Sequence, residues 1–318
     1  MKKVLVCGSI ALDMLGTYGG SFADYQARYP IEALNFSLQL KSLRLSFGGC
    51  GMNIVYGLKQ FGVPCTPLSA AGENFNDHYR AHLLGLGVDI DYIAVDEEYP
   101  QCATAIVLSD ELGNQITGFY PGASGSPLRK LPREVAGIED VAIAVLAPED
   151  APIMLRQARD LADLGIPILF DPGQGITAFT CAEVRELLSL SDYVVANLHE
   201  WEILQLNAEM SAEDIIRDQH QVIVTRSENG VDVLREGCEL LHVPAIRPER
   251  IVEVTGSGDA FRAGYVYGLV RGLDACTCAR IGTLAAVYNL ENPETQRYSF
   301  THAEFAARFH AAFGEALP

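Results

Sequence analysis

Two stretches decide the fold: Ile166-Pro167-Ile168-Leu169-Phe170-Asp171-Pro172-Gly173-Gln174 and Tyr193-Val194-Val195-Ala196-Asn197-Leu198-His199-Glu200. Each is a short apolar run without alternation, closed by polar residues. Between them, 182–190 repeats its apolar residues at helical spacing. A strand that is apolar throughout is one covered on both faces, as in parallel sheets flanked by helices. The same grammar extends outward. Residues 141–147 predict a strand and 151–164 a helix, with Asp150 as N-cap and Pro152 in the first turn. Residues 222–224 predict a strand ending in Thr225-Arg226-Ser227-Glu228-Asn229-Gly230, then 231–234 and 239–243 a hairpin. The remainder reads as helices over 259–271, 276–290 and 302–315. Upstream, 4–7 and 68–71 read as strands and 77–85 as a helix.

Strands and helices alternating over about 200 residues predict an α/β fold with a doubly wound, mostly parallel sheet. Parallel strands put their C-terminal ends on one edge, where ligands of open sheets gather. Asp171, Asn197 with Glu200, and Thr225 therefore converge. Two segments break the pattern. Residues 14–47 show no helical period; Phe36, Leu38 and Leu40, then Leu43, Leu45 and Phe47, alternate as strands do. Residues 103–108 and 115–120 flank the turn 110–114 as a second hairpin. Such insertions, at about 14–47 and 100–120, suit a small β lid over a cleft. No repeat or low-complexity linker divides the chain, so 1–318 reads as one domain.

Two glycine clusters bear on chemistry. In Glu253-Val254-Thr255-Gly256-Ser257-Gly258-Asp259-Ala260-Phe261-Arg262-Ala263-Gly264, the run 250–254 reads as a strand feeding a tight turn and a helix. Free amides at that helix start, with the helix dipole, favour an anion such as phosphate. Asp259 is a second negative charge in that place, which makes sense if it takes a proton from an attacking hydroxyl. The plain alternative is a glycine turn with a dipole-favouring Asp. Phe47-Gly48-Gly49-Cys50-Gly51-Met52-Asn53 precedes an amphipathic helix over 53–61, with Asn53 at its start. Near the N-terminus, Gly8-Ser9-Ile10-Ala11-Leu12-Asp13 places Asp13 near the end of the first strand.

The 318 residues are 49% hydrophobic, enough for a large core, and the net charge is −18. That acidity argues against nucleic acid or an anionic membrane as partner. Met1-Lys2-Lys3 precedes an apolar run that stops at Gly8, a first strand rather than a signal segment. Eight scattered cysteines, with Cys276 and Cys278 as the only close pair, fit reduced thiols in a cytoplasmic protein and complete no zinc site.

The ordered motifs Gly48-Gly49-x-x-x-Asn53, Asn197-x-x-Glu200 and Thr255-Gly256-Ser257-Gly258-Asp259 resemble the ribokinase-like (PfkB) carbohydrate and nucleoside kinases over nearly the whole chain. Phe47 to Ile54, Asn114 to Ala123, Phe170 to Gln174 and Gly258 to Arg262 look like the bacterial adenosine and broad-specificity nucleoside kinases. The resemblance implies transfer of the ATP γ-phosphoryl group to a primary hydroxyl, with Mg²⁺. By that likeness Asp259 is the base, and Gly256, Ser257 and Gly258 are the anion hole. Asn197 and Glu200 organise Mg²⁺ and the ATP phosphates, and Thr225, Ser227 and Gly230 line the nucleotide site. Ser9, Asp13, Gly48, Gly49, Asn53 and Gln174 bind the acceptor, with Asp13 on the ribose hydroxyls.

The family usually has Asp at the position of Glu253, and often Gly near Glu294-Thr295-Gln296. Both departures put a monovalent-cation (K⁺) site in question. The leading expectation is a nucleoside kinase making a 5′-monophosphate from adenosine or a related purine nucleoside. The alternative is a sugar kinase for ribose or another furanose. Phe119, Tyr120, Ile106 and Phe36 are candidates to stack a base, and equally candidates for ordinary packing. A silent binding protein fits poorly with intact Asp259 and Glu200. An NAD-dependent oxidoreductase lacks its GxGxxG at Gly8. An exposed lid edge is where two copies would pair as a homodimer.

Overall fold

The computed structural model describes residues 2–28, 37–112 and 114–318. A nine-stranded sheet forms its centre. In chain order its strands are β1 (Lys3–Cys7), β4 (Cys65–Gly72), β5 (Ile93–Asp96), β8 (Val141–Leu146), β9 (Ile168–Phe170), β10 (Tyr193–Asn197), β11 (Gln221–Thr225), β12 (Val231–Leu234) and β13 (Leu241–Val243). Their spatial order is β13-β12-β11-β10-β9-β8-β1-β4-β5. All pairs from β11 to β5 are parallel, and β12 and β13 add antiparallel strands at one end. The order reverses between β1 and β8, with later strands added on one side of β1 and β4 and β5 on the other.

The unalternated apolar runs follow from this sheet having two covered faces. Val4 and Val6 of β1 enter one core layer, and Leu5 and Cys7 the other. The first layer packs α2 (Cys50–Gln60), α3 (Tyr79–Gly85), α8 (Ser257–Val270), α9 (Ala275–Leu290) and α10 (His302–Phe313). The second packs α4 (Ala151–Asp163), α5 (Cys181–Leu190), α6 (Leu198–Ala208) and α7 (Ala212–Asp218).

A separate four-stranded sheet, order β3-β2-β6-β7, forms the lid from β2 (Ala11–Tyr18), β3 (Leu40–Gly48), β6 (Thr104–Ser109) and β7 (Gln115–Tyr120). The register sorts its faces. Met14 pairs with Leu45 and Ile106, whereas Asp13 pairs with Ser46 and Ala105 pairs with Phe119. Asp13, Ala105 and Phe119 therefore share one face, and Met14, Leu45 and Ile106 the other.

Several expectations need correction. Residues 250–254 are not a strand. The Val252 and Glu253 amides both donate to the Leu290 carbonyl, and no strand lies alongside. Their β-branched side chains mimic a strand because they face outward, with Ile251 and Val254 lining a cavity. Asp13 does not sit at the end of β1. The chain leaves β1 at Cys7 and enters the lid at Ala11, so Asp13 is a lid residue. The segment 14–47 contains a short helix, α1 (Phe22–Arg28), with no buried residue and hence no apolar period to read. Of the expected strand through Phe36, Leu38 and Leu40, residue 36 lies outside the described residues, and β3 begins at Leu40. Helix α2 starts at Cys50, which puts Asn53 inside it and not at its end. Asp150 stands at the N-cap of α4 but makes no side-chain cap bond. Helix α7 was not expected, though Ser211 and Asp214 cap it reciprocally.

Candidate active site

A cavity of about 850 Å³ lies at the C-terminal edge of the sheet. It is lined by Asn197, Glu200, Thr225, Ser227 and Gly230 from the ends of β10 and β11, and by Gly256, Ser257, Gly258 and Asp259 from the start of α8. Nine of the residues singled out in the sequence thus share one wall. Apolar groups, including Val231, Ile246, Ile251 and Leu290, form much of the rest, with Glu228, Arg247, Arg262 and Thr283 set among them.

Gly256 makes the turn into α8. Its φ of 79° is left-handed, and a Cβ there would strike the Thr295 side chain. The first intrahelical bond runs from the Ala260 amide to the Gly256 carbonyl, so the Gly258 and Asp259 amides have no helical partner. They face an anion's natural place at the positive end of the dipole.

Asp259 is buried in the first turn of α8. Burial raises its pKa, while Arg262, the Asn53 amide and the Cys50 thiol pull it down and Glu200 pushes it up. Asn53 Nδ2 donates to Asp259 Oδ2 at 2.8 Å. One turn on, Arg262 Nη2 donates to Asp171 Oδ1 at 2.6 Å, its Nε pairs with Asp171 Oδ2, and its Nη2 lies 3.8 Å from Glu200 Oε2. Arg262 is thus the buried cation that Asp171 and Glu200 share, and its charge also reaches Asp259. Burial pushes Asp171 up to about 7, against the pull of Arg262. The sequence placed Asp171 among the ligand-facing strand ends and assigned Arg262 no role, but Asp171 is buried against Arg262 and lines no part of the cavity. The i, i+3 spacing of Asp259 and Arg262 puts them on one helix face, and that signal was available.

Asn197 and Glu200 form a reciprocal cap of α6. Asn197 Oδ1 accepts from the Glu200 amide at 2.8 Å, and Glu200 Oε2 accepts from the Asn197 amide at 2.9 Å. That lock fixes both side chains at the cavity wall. Thr225 ends β11, and Ser227, with φ 51°, and Gly230 shape the loop after it.

The other candidates gather on the far side of Asp259. Asp13 is pushed up to about 6 by burial and by the Asp259 charge, partly offset by the Ala105 amide. A Cβ on Gly48 would collide with the Asp13 carboxylate, which is why glycine stands there. A Cβ on Gly49 would meet the Ser9 carbonyl at 2.6 Å. Ser9 thus meets this loop through its backbone, and its carbonyl also accepts from the Met52 amide. Residue 174 opens the 3₁₀ turn Gln174–Ala178 after β9; its side chain lies outside the described residues. Of the base-stacking candidates, only Phe119 shares the Asp13 face. Ile106 and Tyr120 point to the other face, and Phe36 is outside the described residues. The one-residue alternation of a strand decides this, and it needed the register.

Glu253 is engaged locally. Its Oε1 accepts from the Val254 amide (2.9 Å), the Thr255 amide (3.1 Å) and the Thr255 hydroxyl (2.9 Å), and its Oε2 lies 3.5 Å from Arg44 of the lid.

A cavity at the sheet's C-terminal edge, an amide-lined helix start with a buried carboxylate, and a β lid define a phosphotransferase architecture. The chain belongs to the pfkB family of carbohydrate kinases, whose family model matches residues 2–301. It is 28% identical over 294 residues to a nucleoside kinase of Methanocaldococcus jannaschii, covering 92% of this chain and 91% of that one. Among solved structures it is similar to the Burkholderia thailandensis nucleoside kinase in complex with inosine, with a TM-score of 0.88 and 32% identity over 98% of this chain and 99% of that one. The Thermotoga maritima ribokinase shares the fold, with a TM-score of 0.79 at 19% identity, covering 98% of this chain and all of that one. The fold is ribokinase-like, with a mostly parallel sheet and a small β-sheet lid.

Proposed function

We propose that the protein is an ATP-dependent nucleoside kinase that phosphorylates the 5′-hydroxyl of a purine nucleoside. The observation that carries this reading is the placement of Asp259, which lines the cavity at the start of α8 and is bonded by Asn53 from the glycine cluster beside the lid. The cavity takes ATP, its phosphates directed to Gly256, Ser257 and Gly258. The space under the lid takes the nucleoside, its ribose hydroxyls on Asp13 and its base against Phe119. An ionised carboxylate accepts both hydrogens of a vicinal diol, which suits Asp13 to ribose. Relatives named as nucleoside kinases, one of them holding inosine, support the acceptor class.

In this reaction the 5′-oxygen bonds to the γ-phosphorus as the bond from that phosphorus to the ADP oxygen breaks. The 5′-hydroxyl proton goes to the Asp259 carboxylate, and the anion-hole amides meet the charge on the transferred group. Glu200 and Asn197, an all-oxygen pair at the cavity wall, would hold Mg²⁺ partly through water, as a hard cation prefers. That ion neutralises phosphate charge when bound. The lid excludes water and limits wasteful ATP hydrolysis.

A furanose kinase is the second reading, because Asp13 and Gly48 recognise ribose with or without a base. Phe119, 64% exposed on the Asp13 face, favours the nucleoside. ATP consumption measured with adenosine, inosine, guanosine, cytidine and ribose decides between them. Turnover on purine nucleosides supports the proposal, and turnover on ribose alone removes it. We further propose a homodimer through the lid, supported by the apolar outer face of Met14, Leu43, Leu45, Ile106 and Ile116, all over 40% exposed. Among the described residues no helix is long and apolar enough to cross a membrane.

A further inference from the structure

Gln296, buried after α9, sits behind the acceptor side of the site and lines no part of the larger cavity. Its amide meets three side chains. Nε2 lies 2.9 Å from Asn53 Oδ1 and 2.7 Å from the Tyr79 hydroxyl, and Oε1 lies 3.0 Å from His82 Nε2. The Tyr79 hydroxyl in turn lies 2.7 Å from the Gly48 carbonyl oxygen.

The direction of every bond in this chain follows from its two ends. A carbonyl only accepts, so Tyr79 uses its single hydrogen on Gly48 and its own oxygen must accept. Only the NH₂ end of Gln296 supplies that hydrogen. The second hydrogen of the same NH₂ goes to Asn53 Oδ1. Asn53 is thereby held with its own NH₂ toward Asp259. An ionised carboxylate also only accepts, so the order read from Asp259 agrees with the order read from Gly48. Gln296 Oε1 accepts from His82, which must carry its hydrogen on Nε2. Burial lowers the His82 pKa, which favours that neutral ring. His82 is also fixed by stacking on Phe47, with centroids 4.2 Å apart.

We propose that Gln296 is a positioning residue for phosphoryl transfer. Acting through Asn53, it fixes which end of the Asn53 amide faces Asp259. Oδ2 of Asp259 is then hydrogen-bonded by Asn53, which fixes how the carboxylate faces the acceptor hydroxyl. With the amide reversed, the Asn53 oxygen would face the carboxylate, and two acceptors would repel. This inference rests on Asp259 being the base.

The test uses Gln296→Met, which keeps nearly the volume and removes the donor. The expected result is a kcat lowered on the order of 10-fold to 100-fold, as when other outer-shell orienting groups are lost, with KM for ATP unchanged. In the Asn53→Ala background the same substitution costs no more than about twofold further, because its route is already cut. Tyr79→Phe lowers kcat in the same direction by less, and carries the test if Gln296→Met fails to fold. Wild-type kcat in a folded Gln296→Met, or a loss that multiplies fully with that of Asn53→Ala, overturns the proposal. Asp259→Asn is the reference. Wild-type turnover in that variant removes the base itself. An inactive Asp259→Asn beside a fully active Gln296→Met removes only the role of Gln296.

Discussion

Asn53 Nδ2 donates to Asp259 Oδ2 at 2.8 Å, joining residues 206 positions apart in the chain. One comes from the glycine cluster beside the lid and the other from the first turn of α8. Their contact makes two weak sequence motifs into one site.

Asp13 sets a pH dependence. Its carboxyl is raised from 3.8 to about 6, so the folded state favours the protonated form. A raised carboxyl stabilises fully below its unfolded value, and that contribution is lost as pH rises through the folded value. The ionised form is the one that accepts both ribose hydroxyls. KM for the nucleoside is therefore expected to rise as pH falls through about 6. Asp13→Asn should melt higher than the parent at pH 7.5 but not at pH 4, while binding nucleoside more weakly. Initial rates and melting curves across that range check both outcomes.

Arg262 holds the carboxylates together. Arg262→Leu leaves Asp171, Glu200 and Asp259 buried without their shared cation. Breaking a buried pair on one side costs about 3–5 kcal/mol. The expected outcome is a loss of stability of that size in urea unfolding at pH 7.5. A change within about 0.5 kcal/mol, the range of ordinary surface substitutions, would show that the pairing carries little.

Phe119 is expected to discriminate acceptor classes. Phe119→Ala is expected to raise KM for a purine nucleoside on the order of tenfold, as loss of a stacking ring does, with kcat little changed. Any activity on ribose should not respond. Equal loss on both acceptors would mean that Phe119 supports the lid and not the base.

Potassium is expected to be dispensable. Glu253 already accepts three hydrogen bonds from its own loop and faces Arg44, so its carboxylate is not open to a cation. Rates in K⁺ and in tetramethylammonium at equal ionic strength should agree. Strong activation by K⁺ would show that the loop rearranges around an ion.

The parallel sheet was legible because burial on both faces leaves runs such as Val194-Val195-Ala196 wholly apolar, and the strand ends Asn197 and Thr225 carry groups that line the cavity. The lid hairpin was legible from the turn at Asp110, whose carboxylate accepts from the Leu112 and Asn114 amides. Other features were hidden for physical reasons. Residues 250–254 have β-branched side chains because they wall a cavity, which composition does not distinguish from a strand. The assignment of Asp13 to the lid, and of Phe119 but not Ile106 to its face, depends on strand register, a long-range property. Gln296 contacts Asn53 only through the tertiary fold, and its neighbourhood read merely as a departure from the family pattern.

The central claim is that Asp259 takes the acceptor's proton. Its most direct test pairs turnover with calorimetric binding for Asp259→Asn. The account predicts nucleoside and ATP affinities within a few-fold of the parent and a kcat lower by several orders of magnitude, on the order of 10³-fold or more. A kcat within tenfold of the parent, with nucleoside still bound, would contradict it.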